Sequence, residues 1–226
     1  MKLKKMAMQM AMAFVAAKGV QAFDRAGGLQ GVRSKLSQRG AQGGGIDGLL
    51  GQFGLGGQTG GAPGGKGGAN SIAGLLGGLA GASSGAAGAQ RMRGLLDTTR
   101  ETPEDTPEEE QVSGLMVRAM IQAARADGEI DADERGAILE IVGDADPEDM
   151  AFLERQLEEP VDAETLARDT PEGHGIEVYT AAVLAIEPDN RAEAEFLDTL
   201  ARGLGLGQQT VNDIHVTQGK PPLYTL

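Results

Sequence analysis

The sequence predicts an all-α protein: a compact helical bundle at the C-terminus, preceded by an N-terminal amphipathic or apolar helix and a Gly-rich segment. Three observations lead there. Apolar residues recur at three- and four-residue steps in one segment after another beyond about Val112. Helix-capping and helix-stopping residues punctuate those segments. No segment has the period-two alternation of a convincing sheet.

Composition divides the chain at about residue 100. Of 36 glycines, 26 fall in residues 1–100, which leaves only the second part with the composition of a packed core. Residues 1–100 carry 12 Lys/Arg against 3 Asp/Glu, and residues 101–226 carry 8 against 30. A head of net +9 on a body of net −22 fits a chain whose one end meets an anionic surface while the other stays in water. A merely solubilising acidic surface explains the body equally well. Cysteine is absent, which excludes disulfides, thiol nucleophiles and thiolate metal sites and leaves the compartment open. With only His174 and His215, any metal would be held by oxygen.

Residues 1–25 form the first unit. Lys2, Lys4 and Lys5 precede an uncharged run, Met6–Ala17, in which Met6, Met10, Ala13, Phe14 and Ala17 share one helical face. That pattern reads as a helix lying among lipid headgroups. A signal peptide is the second reading, although Gln9 and Lys18 interrupt the pattern such a peptide needs, and an ordinary helix is the third.

Residues 26–111 are a low-complexity segment and an acidic linker. GLLG occurs at Gly48–Gly51 and again at Gly74–Gly77, and Ile72–Ala89 is uncharged with overlapping GxxxG spacings. The stretch reads first as a linker and second as a marginal membrane span, residues 72–89. Asp97–Gln111, rich in Pro, Thr and Glu, marks the boundary.

Residues 112–218 are the helical domain, and 219–226 a tail. Leu115, Met116, Ala119, Met120, Ala123 and Ala124 give one face to a first helix, Ser113–Ala126, broken by Asp127-Gly128. A second starts at Asp131, which forms a capping box with Glu134 and leads to Ile138, Leu139, Ile141 and Val142. Asp146 with Pro147 opens a third, stopped by Pro160. A short helix at Asp162–Arg168 precedes a longer one through Ile176, Val178, Tyr179, Ala182, Val183 and Ile186. Asp189 or Asn190 caps the next, which carries Phe196, Leu197, Leu200, Ala201 and Leu204 and stops at Gly203–Gly207. Gln208–His215 is the last.

The one loop with chemical content is Asp127–Glu134. Against the calcium-loop pattern it matches the later half, with Asp127, Gly128 for the turn, Ile130, and Glu134 at the bidentate position. The earlier half fails, because Ala123 and Arg125 stand where acids belong. A helix-breaking turn followed by a capping box explains the same residues. A weaker second corner, Ala185–Glu193, again follows an apolar helix with acids and a helix start. Two such corners facing one another would offer several carboxylates to a hard divalent cation of the calcium or magnesium type.

The run Met116–Leu206, with MIQAARADGEIDADE and IEVYTAAVLAIEPDNRAEAEFLDTLARGLGL, resembles the tellurite-resistance TerB-like superfamily and its YebE-type inner-membrane branch. The markers are A-D-G-x-I-D-x-x-E at Ala126–Glu134, E-x-Y at Glu177–Tyr179, then I-x-x-D and F-L-x-x-L-A. The basic, apolar N-terminal helix and the glycine-leucine stretches are similar to that branch as well. The resemblance implies a TerB-like bundle, association with a bacterial inner membrane, a stress-related role, and an acidic metal-responsive site comprising Asp127, Glu129, Asp131, Glu134, Asp189 and Glu193. Glu187-Pro188 departs from the acidic-glycine turn of the family, which weakens two-sided coordination.

No catalytic constellation emerges. His174 lies between two glycines with only local acids and reads as an exposed loop residue, and Ser83, Ser84 and Ser113 have no histidine at an informative spacing. The glycine runs lack a phosphate-loop ending, and the acidic domain repels nucleic acid. The reading is therefore a non-enzymatic membrane-associated protein that binds a protein partner, a divalent cation or both, with no small-molecule substrate evident. Two rivals stand beside it. One is a soluble or periplasmic helical protein with a cleaved signal. The other is a metal-dependent enzyme using the acidic loop, which requires an open coordination position.

Overall fold

A central pair of helices, α3 (Pro107–Ala124) and α6 (Gly175–Ala185), makes the most extensive helix contact in the computed structural model. The structure describes residues 3–11, 14, 85–99, 106–128, 139, 146–186 and 188–226. Around the pair lie α1 (residues 3–11), α2 (Gly85–Leu96), α4 (Pro147–Glu158), α5 (Ala163–Asp169), α7 (Arg191–Gly203) and α8 (Gln208–Thr217). Among the described residues all regular structure is helical, as the periodicities predict.

The first domain helix starts at Pro107, not at Ser113. Thr106 is its N-cap, with extended backbone and a hydroxyl that accepts the Glu109 N–H at 3.2 Å. Proline at the first position and Glu108, Glu109 and Glu110 in the first turn suit the positive end of a helix. The end of the acidic Pro/Thr/Glu run is thus the opening turn of a helix. α3 stops at Ala124, two residues before the expected Ala126, in a turn through Asp127.

Three polar contacts tie α3 and the residue after it to α5 and the connection before it. Arg125 Nη1 donates to the Glu159 carbonyl at 2.5 Å, Gln122 Oε1 accepts the Asp162 N–H at 3.1 Å, and Arg118 pairs with Asp169 at 2.8 Å. α4 begins with Pro147 at its first position, although Asp146 makes no side-chain capping bond. Glu159, held extended before Pro160, ends it. Asp162 caps α5 by accepting the Thr165 N–H at 2.9 Å. Of the helix predicted from Asp131, Leu139 is described, and it is helical and packs against the core.

α6 is apolar on every side, the pattern of a helix enclosed by others, and residues 177–186 are all buried. α7 is its opposite, an amphipathic helix that lays Phe196, Leu197, Leu200 and Ala201 inward. It packs closely on α5: a Cβ placed on Gly203 would sit 2.5 Å from the Ala167 Cβ. Here glycine is needed for the approach of the two helices.

α8 runs two residues beyond His215, and the chain then folds back over the bundle. Asn212 and Tyr224 exchange two hydrogen bonds at 2.8 and 2.9 Å, and the Tyr224 hydroxyl donates to Asp198 at 2.8 Å. The Lys220 ammonium is buried and donates to the carbonyls of Val183 and Ile186. A cation thereby satisfies the negative end of α6.

α1 and α2 join the same core. Met92 and Leu96 of α2 are buried, so the part of the low-complexity segment from Gly85 onward is an amphipathic helix with Arg91 and Arg93 outward. In α1, Leu3, Met6, Ala7, Met10 and Ala11 are buried, and Phe14 packs partly against the same cluster. The apolar face expected to meet lipid includes Met6, Met10 and Phe14, and all three pack on the domain, while Ala13 and Ala17 lie outside the described residues. No described helix is long and apolar enough to cross a membrane, and of residues 72–89 those before Gly85 lie outside the described residues.

Candidate functional site

Asp127, the first residue of one acidic corner anticipated from the sequence, lies beside Asn190 of the other, between the end of α3 and the start of α7. Asp127 sits exposed in the turn that closes α3, because Gly128 and the preceding turn interrupt the helix. Asn190, not Asp189, is the N-cap of α7: its side-chain oxygen accepts the Glu193 N–H at 2.9 Å. The nitrogen of the same amide donates to Asp127 Oδ2 at 3.3 Å, across 63 positions of sequence. One asparagine therefore caps a helix and bridges the two corners. Asp189 is exposed beside it, and Glu193 is buried in the first turn of α7.

Of the six residues implied as metal ligands, Asp127, Asp189 and Glu193 are described, and Glu129, Asp131 and Glu134 lie outside the described residues, as does Glu187. Among the described residues, no three acidic, histidine or cysteine side chains are grouped to hold a metal ion. The described half of the corner also presents an amide donor to Asp127.

Two buried histidines form polar clusters that sequence reasoning missed. His174, expected in an exposed loop, is fully buried as the residue preceding α6. Its Nδ1 donates to Glu177 Oε2 at 2.5 Å, and its Nε2 faces Glu108 Oε1 of α3 at 3.7 Å. The hydrogen bond to Glu177 raises the imidazole pKa above 6.5 against the opposing effect of burial, and the charges of Glu177 and Glu108 act in the same direction as the bond. The available signal was the His-x-x-Glu spacing at a helix start, which places the two side chains on one face.

His215 is the electrostatic opposite. Burial pushes its pKa down from 6.5 to about 4, so the ring is neutral at physiological pH. Its Nδ1 donates to the Pro221 carbonyl at 2.9 Å, which leaves Nε2 to accept from the Tyr179 hydroxyl at 3.0 Å. Burial likewise holds the Tyr179 phenol protonated. Both histidines are buried in the bundle, an arrangement suited to holding helices together.

The DUF533 family, described as a protein of unknown function, has a sequence model that matches residues 37–217. The chain belongs to this family. DUF533 is TerB-like, so the superfamily-level resemblance carried by Ala126–Glu134 and Glu177–Tyr179 holds. The DUF533 match extends over both acidic corners and both histidines. No curated protein and no solved structure matches the chain.

Proposed function

We propose that this DUF533 protein is a non-enzymatic, membrane-associated adaptor of the YebE-type branch, which binds a protein partner, a hard divalent cation or both through the acidic edge formed by its two corners. The observation that carries this reading is the Asn190–Asp127 contact. It joins the turn after α3, which carries the exposed Asp127, to the start of α7, where Asp189 is also exposed. Association with a bacterial inner membrane, and a role in stress, are inferred from the basic, apolar N-terminal sequence and from the branch resemblance.

The cation component is tested by thermal unfolding of the full chain with calcium, magnesium, manganese or chelator. Binding to the folded form raises the midpoint by mass action, and Glu129→Gln diminishes the rise without removing a cap. Equal midpoints under all four conditions would leave Asp131 and Glu134 as helix-capping residues and the acidic edge as a protein-binding surface alone. Fractionation of the native protein through salt and carbonate washes tests the membrane component, and recovery wholly in the wash-free soluble fraction would remove it.

A further inference from the structure

The N-terminal helix is held on the domain by contacts of the same chemistry as those a lipid surface would offer. Lys4 Nζ lies 2.9 Å from Glu109 Oε1, and the Leu3 N–H donates to Glu110 Oε2 at 3.0 Å. The opening turn of α3 therefore neutralises a lysine and caps the positive end of α1. Beneath these polar contacts Leu3, Met6 and Met10 are buried, and Gly114 makes room for the first of them: a Cβ at Gly114 would sit 3.0 Å from Leu3 Cδ1.

These residues cannot serve the domain and a bilayer at once. The apolar face exchanges one dry environment for another, so hydrophobic burial favours neither partner strongly and the charged groups decide. An anionic headgroup layer attracts the same Lys4 ammonium that Glu109 attracts. A docked α1 would also press the Glu108–Glu110 turn onto that layer, where like charge repels it.

We propose that the groove beside Gly114, rimmed by Glu109 and Glu110, is an intramolecular receptor for α1 that competes with anionic lipid, so that the chain alternates between a closed form and a lipid-bound form with α1 released. This rests on the membrane component of the reading above. The competing surface is a bilayer containing phosphatidylglycerol.

The test is co-sedimentation of the full chain with phosphatidylcholine vesicles, with and without phosphatidylglycerol. Gly114→Leu fills the seat of Leu3 without altering charge, and is expected to bind phosphatidylglycerol vesicles about tenfold more tightly than wild type, because the competent form is no longer the minor one. Glu109→Gln/Glu110→Gln, which weakens docking by a different route, should shift binding in the same direction and by more than the charge-matched exposed pair Glu154→Gln/Glu164→Gln. Equal affinity of wild type and Gly114→Leu, with the two glutamine pairs indistinguishable, would overturn the competition while leaving membrane binding intact. Binding that survives deletion of residues 1–25 would instead overturn the assignment of α1 as the lipid-binding element, and the competition with it.

Discussion

His174 Nδ1 donates a hydrogen bond to Glu177 Oε2 at 2.5 Å inside the bundle, with Glu108 of a different helix facing the other ring nitrogen. The folded state raises the pKa of this imidazole above 6.5, so it binds the proton more tightly than the unfolded chain. The stabilisation is complete below pH 6.5 and is lost as pH rises through the raised folded value. Unfolding free energies measured from mildly acid to mildly alkaline pH should fall along that interval in wild type and run flatter in Glu177→Gln. Parallel curves would assign the slope to other groups.

His215 predicts the reverse dependence. Its folded pKa of about 4 lies below the ordinary 6.5, so its contribution is complete above pH 6.5 and is lost as pH falls through 4. The loss is at most on the order of 3 kcal/mol. Ring-nitrogen NMR should find His215 neutral, with the proton on Nδ1, well below pH 6. A titration midpoint near the ordinary histidine value would contradict the buried Tyr179–His215–Pro221 arrangement.

Gly203→Ala is expected to destabilise the protein by about 1–3 kcal/mol, since overpacking at the α5–α7 contact outweighs a gain in helix propensity of about 1 kcal/mol. The clash is with the Ala167 Cβ, so the cost should largely vanish in an Ala167→Gly background. Additive effects in chemical denaturation would place the strain elsewhere.

Lys220→Met should cost roughly 2–3 kcal/mol, because two carbonyl acceptors at the end of α6 lose a charged donor. Thermal and chemical unfolding both report this. A change within about 0.5 kcal/mol of wild type, the range of an ordinary surface substitution, would mean that the end of α6 is satisfied without the ammonium.

Much of the fold was legible because its signals are local. Pro147, Asp162, Asn190 and Pro160 act on the backbone within a few residues of themselves, and the helices begin or end beside them. Thr106 acts in the same way, but its setting in an acidic Pro/Thr run has the composition of a linker, and the helix was expected to start later. The apolar face of α1 was legible and its covering was not, since periodicity shows which side seeks burial without showing against what. Of the candidate site, Asp127 and Asn190 were each legible as marking a helix end and a helix start, whereas the bridge between them depends on tertiary placement. The burial of His174 and Lys220 was invisible for the same reason: a glycine-flanked histidine and a lysine before two prolines have the composition of surface loops.

The enclosure of α6 sets how this stretch of chain can vary. An amphipathic helix such as α7 offers tolerant positions between constrained ones, for example Arg191, Ala192 and Glu195, and a substitution scan along it should show gaps every third or fourth residue. From Glu177 to Ile186 no position faces water, so there is no site at which drift, a surface charge or a label comes at little cost. Intolerance there should appear as one unbroken band.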